Sequence, residues 1–348
     1  MAKMARQHNG QEQRNDFYGR IDPHNLAPLW EVFHEVVTPQ PTSPYAPSVW
    51  RYDRVRPFLM EAGALITAQE AVRRVLVLEN PALRGLQSIT NTLFAGLQLV
   101  LPGEIAPAHR HSQSALRLIL EGSGGYTSVE GERSYMERGD FIVTGSWNWH
   151  DHGNDTGNPV IWLDGLDVPL VRFFDASFSE NYDREIYPTL RPPGDSSARY
   201  GANMVPVGFE PKGKHSPIFS YPYARSREAL EQMRKTEAWD PHHGLKMTFV
   251  NPADGGPAMP SISTFIQLLP KGFTTAPYRG TDGTVYTAID GAGETVVGDT
   301  TIAWKPRDVF VVPSWAPHTH HATEESVLFS FSDRTVQEKL GLWRESRE

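Results

Sequence analysis

Two stretches decide the reading: LPGEIAPAHRHSQSALRLILEG, residues 101–122, and ERGDFIVTGSWNWHDHGN, residues 137–154. The first carries His109 and His111 one residue apart; the second carries His150 and His152 after a strand-like run and a tight turn. Residues i and i+2 of a strand project from the same face. An extended APAHRHSQ therefore aims His109 and His111 at one point, and His150 approaches that point from an adjacent strand. Three neutral imidazoles on one side of a metal leave the opposite positions open, a donor set that suits zinc, copper, iron or nickel. A lone His-X-His is commonplace and usually structural. A third histidine at a set distance, amid patterned glycines, favours the metal.

Outward from this centre, LRLIL, FIVTG and VIWLDGL are short, aliphatic and bounded by Gly, Asp, Asn or Pro, as strands are. The pattern resumes from SISTFIQLLP to FSFSD near residue 333, and the two regions repeat. At a constant offset of 168, Leu101-Pro102 falls on Leu269-Pro270, Asp140 on Asp308, Trp147 on Trp315 and His150 on His318. EGSGG and DGAGE pair with one residue inserted. In this alignment His109 becomes Pro277 and His111 becomes Arg279, so the second copy keeps at most one ligand. The expected fold is all-β with helical additions: two modules of one architecture, only the first with an intact metal site.

The expected division is 1–95, an N-terminal arm and helices; 96–170, the metal-binding module; 171–255, a connection; 256–335, the degenerate copy; and 336–348, a terminal helix packing Leu340, Leu342 and Trp343. Residues 1–16 read as a disordered or loosely attached arm. Helical signals lie in PLWEVFHEVV, RPFLMEAGALI, SREALEQMRKTEAW and ITAQEAVRRVL, the last opened by a Thr67–Glu70 capping box.

Bulk properties narrow the function. The net charge of −8 argues against a nucleic-acid partner. With no cysteine, disulfides, thiolate nucleophiles and cysteine-based metal sites are excluded. No run has the apolar length to cross a bilayer and the start lacks a signal-peptide core, so the expectation is a cytoplasmic protein with no membrane partner. Neither a GxGxxG opening a helix nor a Walker loop is present, so no nucleotide cofactor is expected.

The spacing Gly103-x5-His109-x-His111, with Gly122 beyond, resembles the first cupin motif. Gly139-x5-Gly145-Ser-Trp-x2-His150-x3-Asn154 resembles the second. The glutamate usual after the histidine pair is absent, since Ala115 and Leu116 stand there, and Gly145 replaces a common proline. Three histidines remain, which disfavours the four-ligand manganese cupins. HRHSQSALR, GDFIVTGSWNWHDHGN, WLDGLD, VNPADGGPAMP, FVVPSW and FSFSD together resemble the gentisate 1,2-dioxygenases, over roughly Pro57 to Glu345. Salicylate, 5-nitrosalicylate and 1-hydroxy-2-naphthoate dioxygenases share the pattern.

The resemblance implies a bicupin of two double-stranded β-helix (jelly-roll) barrels, assembled as a homotetramer. It implies one Fe(II) per subunit on His109, His111 and His150. An aromatic 2-hydroxy acid and O2 would be the reactants, with the ring cut between the carboxyl- and hydroxyl-bearing carbons. Gentisate, opened to maleylpyruvate, is the leading substrate; salicylate, 5-nitrosalicylate and 1-hydroxy-2-naphthoate are alternatives. His152 matches a group beside the iron that hydrogen-bonds substrate or oxygen, or else orients a loop. Arg117, six residues after His111 and so on the same strand face, and Arg73 match the clamp on the substrate carboxylate. Arg74 is the neighbour with which register confuses Arg73. Gln98 and Asp164 match positions near the pocket, and Trp149 is a candidate wall, as is Trp147; Trp162 reads as core. Asp151 faces away, while His242, His243, His320 and His321 read as structural or loop residues. A non-catalytic binding or storage bicupin is the competing class, and the degenerate copy is its support.

Overall fold

The computed structural model describes residues 2–202, 204–211 and 213–347, with side chains from residue 10 onward. Met1–Thr42 forms one compact unit and Ser43–Glu348 another. The first unit is helical: α1 (Ala2–Ile21) and α2 (Leu29–Val36). The expected loose arm is thus a helix, because Ala, Met, Gln, Glu and Arg favour helix and no proline interrupts. Phe17 stacks on Trp30 at 6.4 Å, and Trp30 Nε1 donates to Tyr18 Oη at 2.9 Å. Leu29, Trp30, Phe33 and Val36 of α2 are exposed.

The second unit contains the two expected barrels. In the first, one sheet orders as β12 (Ser220–Tyr221), β8 (Phe141–Thr144), β5 (Ala115–Glu121), β10 (Val160–Leu166), β3 (Phe94–Val100) and β2 (Val75–Val77). Its other sheet orders as β11 (Ser179–Asn181), β4 (Ile105–His111), β9 (His150–Gly153), β6 (Tyr126–Val129) and β7 (Glu132–Tyr135). The second barrel repeats the larger sheet as β1 (Ser48–Trp50), β19 (Val309–Val312), β16 (Thr284–Asp290), β21 (Ser326–Ser332), β14 (Ser263–Leu269) and β13 (Leu245–Thr248). Its other strands are β18 (Thr300–Trp304), β17 (Gly293–Val297) and β20 (His318–Ala322), with β15 (Arg279–Gly280) paired to β22 (Glu345–Ser346). Among the described residues, six α-helices decorate this unit: α3 (Tyr52–Leu65), α4 (Ala68–Ala71), α5 (Val168–Phe173), α6 (Asp195–Tyr200), α7 (Tyr223–Thr236) and α8 (Arg334–Lys339).

One core joins the larger sheets. Leu97, Leu116, Leu118, Phe141 and Leu163 of the first pack with Ile266, Leu268, Val285, Phe329 and Phe331 of the second. Each barrel also fills its own interior, the first with Val100, Ile119, Met136, Ile142, Val160 and Trp162. Strands buried on both faces read as unbroken apolar runs, which is why LRLIL lacks alternation.

The expected boundaries run through these sheets. β1 and β2 come from the N-terminal region and β11, β12 and β13 from the connection, each extending a barrel sheet at its edge. The Thr67–Glu70 capping box is present, but its helix ends at Ala71. The next residues turn at Val72, with φ +56°, and the Val-rich run pairs with β3 as β2, so tertiary pairing overrides helical propensity. At the C-terminus the helix ends at Lys339; Leu340 and Leu342 are each 60% exposed rather than packed. Trp343 does anchor, donating through Nε1 to Asp282 Oδ1 at 3.0 Å.

The repeat is real, but its register differs by one residue in the first half. His318 pairs with Tyr278 as His150 pairs with His109. Trp315 N donates to Gly280 O at 2.6 Å as Trp147 N donates to His111 O at 2.8 Å. The counterparts of His109 and His111 are therefore Tyr278 and Gly280, not Pro277 and Arg279. A one-residue difference in the turn at EGSGG shifts the alignment. The second copy still cannot assemble the triad, since glycine has no side chain and Tyr278 Oη donates to Glu345 Oε2 at 3.1 Å.

Gly122, at that turn, has φ +92°, and a Cβ there would stand 2.6 Å from Pro159 O. Gly122→Ala is expected to lose about 2 kcal/mol or more through backbone strain and this collision. Urea unfolding measures it, and an unchanged midpoint would contradict the assignment.

Candidate active site

Pairing of β4 with β9 sets His109 directly across from His150, after a register shift between Ala106 and His109. His109 Nε2 and His150 Nε2 lie 3.0 Å apart. The ring centroids are 5.2 Å apart for His109–His111, 4.5 Å for His109–His150 and 4.9 Å for His111–His150. One nitrogen from each of the three falls within 4.8 Å of the others. Backbone carbonyls fix two tautomers: His111 Nδ1 donates to Gln113 O at 2.9 Å and His150 Nδ1 to Asn148 O at 3.0 Å. Both Nε2 lone pairs are then free to ligate.

Burial, reinforced by neighbouring cations, holds these imidazoles neutral. His111 is pushed down to about 4 and His109 to about 2, and His150 also lies well below the ordinary histidine range. Neutral imidazoles are the ligating form. Two nitrogens at about 2.1 Å from a metal and at right angles stand roughly 3 Å apart, so the observed separation fits a divalent transition metal.

The back of the strand is clamped. Arg110 sits 4.5 Å from the rings of both Trp147 and Trp149 and donates through Nε to Glu180 Oε2 at 2.9 Å. Trp147, at φ +64°, carries the turn that delivers His150. Trp149 does not line the cavity; its ring stacks on Tyr187 at 5.9 Å instead. One residue's difference from His150 sends it to the other side of the strand.

The triad opens on a cavity of about 280 Å³, also lined by Arg73, Gln98, Arg117 and Asp164. Arg117 is buried, donates through Nη1 to Thr144 Oγ1 at 2.6 Å, and lies 3.5 Å from Asp164 Oδ1 through Nε. Asp164 accepts from Trp162 Nε1 at 2.9 Å, and burial raises its carboxyl to about 6 against the pull of Arg117. Arg73 donates through Nη1 to Pro107 O at 3.0 Å, and burial and Arg117 depress it to about 9. Arg74 instead chelates Glu104, apart from the cavity lining that includes Arg73. The buried polar atoms without a hydrogen-bond partner among the described residues include Arg73 Nη2, Gln98 Nε2 and Arg117 Nε, the last having only its ion pair with Asp164 at 3.5 Å. These three belong to residues lining this one cavity, which suits an oxygen-rich anion.

His152 stands behind the triad rather than in the cavity lining. It is fully buried, with Nδ1 3.0 Å from Thr127 Oγ1, its ring 5.2 Å from Trp162, and Nε2 without a partner. Asp151 faces away, accepting from Tyr187 N at 3.0 Å. Val75, Phe94, Gln113, Leu166 and Val168 complete the lining and were not anticipated. Strand alternation was the available signal, since Val75 is two residues from Arg73 and Gln113 two from His111.

Residues 96–166 match the family described as Cupin domain. The whole chain is similar to Gentisate 1,2 dioxygenase 1 of Aquipseudomonas alcaligenes, 60% identical over 97% of each chain. It is 39% identical to 5-aminosalicylate 1,2-dioxygenase of Comamonas sp, over 92% of this chain and 87% of the relative. Among solved structures, salicylate 1,2-dioxygenase from Pseudoaminobacter salicylatoxidans, in adducts with gentisate, superposes with a TM-score of 0.91 at 32% identity. That match covers 97% of this chain and 94% of the other.

Arg117→Met strands the Asp164 carboxyl in a buried site. The expected loss is about 3 kcal/mol at pH 8. The sign follows from a folded-state carboxyl raised above its unfolded value: its contribution is lost as pH rises through the folded pKa. The loss should therefore shrink at pH 5, where Asp164 is protonated. Equal losses in unfolding at both pH values would refute the pairing.

Proposed function

We propose, for a chain that belongs to the gentisate 1,2-dioxygenase family, that gentisate is its substrate and Fe(II) on His109, His111 and His150 its metal, one per chain. The enzyme is a ring-cleaving dioxygenase of the cupin class. The observation that carries the reading is the convergence of three neutral imidazoles and two unsaturated arginines on one cavity. A storage or binding role requires neither feature, and relatives along the whole chain are dioxygenases.

In this reading both atoms of O2 enter the ring between the carboxyl- and hydroxyl-bearing carbons, and the ring supplies the electrons, so no further reductant is consumed. The metal, when bound, supplies open coordination positions and redox chemistry. The protein supplies orientation. Arg117, braced by Asp164 and Thr144, and Arg73, braced by Pro107 O, grip the substrate carboxylate and gain the partners their free N–H groups lack. Gln98 Nε2 donates to a substrate oxygen. His152 supports the site from behind His150 and has no room to become cationic, since burial holds it far below its ordinary range. Val75, Phe94, Leu166 and Val168 give the ring apolar walls.

The reading also places the enzyme in the cytoplasm as a homotetramer. The exposed apolar side chains of α2 support association. No helix among the described residues is long and apolar enough to cross a membrane.

Oxygen uptake by Fe(II)-reconstituted protein tests the proposal, with gentisate, salicylate, 5-aminosalicylate, 5-nitrosalicylate and 1-hydroxy-2-naphthoate offered separately. Gentisate is expected to give the largest kcat/KM, and His111→Ala to lose both uptake and bound iron. Arg73→Met should raise KM for gentisate by about 10–100-fold, the worth of a hydrogen bond to a charged group. Preference for another acid would overturn the substrate, and full activity in His111→Ala would overturn the triad.

A further inference from the structure

The second barrel can be laid on the first pair by pair, which shows what stands at each position of the first barrel's cavity. Val75 pairs with Gln98 in one, and Lys246 with Gln267 in the other. Gly96, Asp164 and Arg117 form one row across three strands of the first barrel. Phe265, Ser330 and Tyr286 form the same row in the second. The cationic clamp and its carboxylate are gone, and a lysine has entered where valine lined the cavity.

Lys246 has neither a hydrogen bond nor an ion pair among the described residues. Its ammonium lies 4.7 Å from the centre of the Phe265 ring, the cross-strand neighbour of Ser330. Two polar atoms on this inner face are also without partners. Gln267 donates through Nε2 to His243 O at 2.7 Å but leaves Oε1 free, and Ser330 leaves its Oγ free. Both residues are 1% exposed. Buried polar atoms normally find a partner, and here a hydroxyl and an amide carbonyl lack one on the same inner face as a half-buried ammonium.

The surroundings add rings rather than charge. His243 stands 4.5 Å from Tyr278, Tyr278 5.7 Å from His318, and His318 5.3 Å from His320. Burial, with Lys246 contributing, keeps the three imidazoles neutral, His243 at about 3 and His318 at about 4. The carboxylates whose charges act on Lys246 are engaged elsewhere, Asp282 with Trp343, Glu345 with Tyr278 and Arg347, and Asp240 with Arg347. The resident ammonium of Lys246 repels a metal cation that the three neutral imidazoles could otherwise ligate. The same ammonium attracts an anion.

We propose that the second barrel is a binding site for a small hydroxy acid, its carboxylate held by Lys246 and Ser330 and its hydroxyl donating to Gln267 Oε1. The donor and acceptor set distinguishes this class from a simple anion, which leaves the amide oxygen unpaired. The site is independent of the metal centre and of the substrate assigned to it.

Equilibrium dialysis of the metal-loaded full chain against labelled glycolate, acetate and inorganic phosphate tests this. Arg117→Gln, which weakens the first cavity, should still bind one glycolate per chain. Adding Lys246→Met to that variant should abolish the binding. Gln267→Leu should weaken glycolate at least tenfold and leave acetate unchanged. Lys246→Met alone should keep wild-type dioxygenase turnover, which also reports that it folds; if it does not fold, the Gln267→Leu comparison decides. Glycolate binding that survives both substitutions would overturn the site. Phosphate or acetate binding as tightly as glycolate would overturn the hydroxy-acid class.

Discussion

The antiparallel pairing of β4 with β9 is the constraint on which the site depends. It is a backbone interaction, yet it fixes the distance between His109 and His150 and the direction of His111. Several neighbouring contacts support that pairing. The Arg110 clamp stiffens β4 from behind, Asn148 O and Gln113 O orient the rings, and Trp147 turns the chain into β9. A slip of one residue in β4 would send His109 and His111 to the face opposite His150.

A second consequence of the same geometry is electrostatic. Two arginines and three imidazoles line one cavity, and their burial makes each charge costly. The protein answers by keeping the imidazoles neutral, depressing Arg73 and leaving one carboxyl, Asp164, beside Arg117. The cavity is therefore built with an unmet demand for negative charge. An organic acid would meet that demand with its carboxylate.

Much of this was legible in the sequence because it rests on short-range rules. The i, i+2 spacing of His109 and His111, the turn before His150 and the repeat each have a period that survives in one dimension. The parts that were not legible depend on contacts distant along the chain. RVLVLE became a strand because β3 offered it an edge. Residues 2–16 are helical, because composition alone does not separate a loose arm from a polar helix. Trp149 left the pocket because one step along a strand reverses a side chain. The repeat was found, but its register was not, since one extra turn residue shifts every later pair. Arg73 and Arg74 looked interchangeable until Glu104 claimed one of them.

The duplication gives this molecule an internal control. The Thr127–His152 bond recurs as Thr295–His320 at 2.8 Å, and Asp167 receives Ser114 N as Asp333 receives Gly283 N. The repeat even continues past the barrels, with α5 and β11 matched by α8 and β22. Features present in both copies are what the architecture demands, whatever chemistry it hosts. His109, His111, Arg117 and Asp164, answered by Tyr278, Gly280, Tyr286 and Ser330, are what one copy alone retains. By this subtraction the Thr127–His152 contact belongs to the scaffold that both copies share, His150 keeps a counterpart in His318, and His109, His111 and Arg117 set the first copy apart.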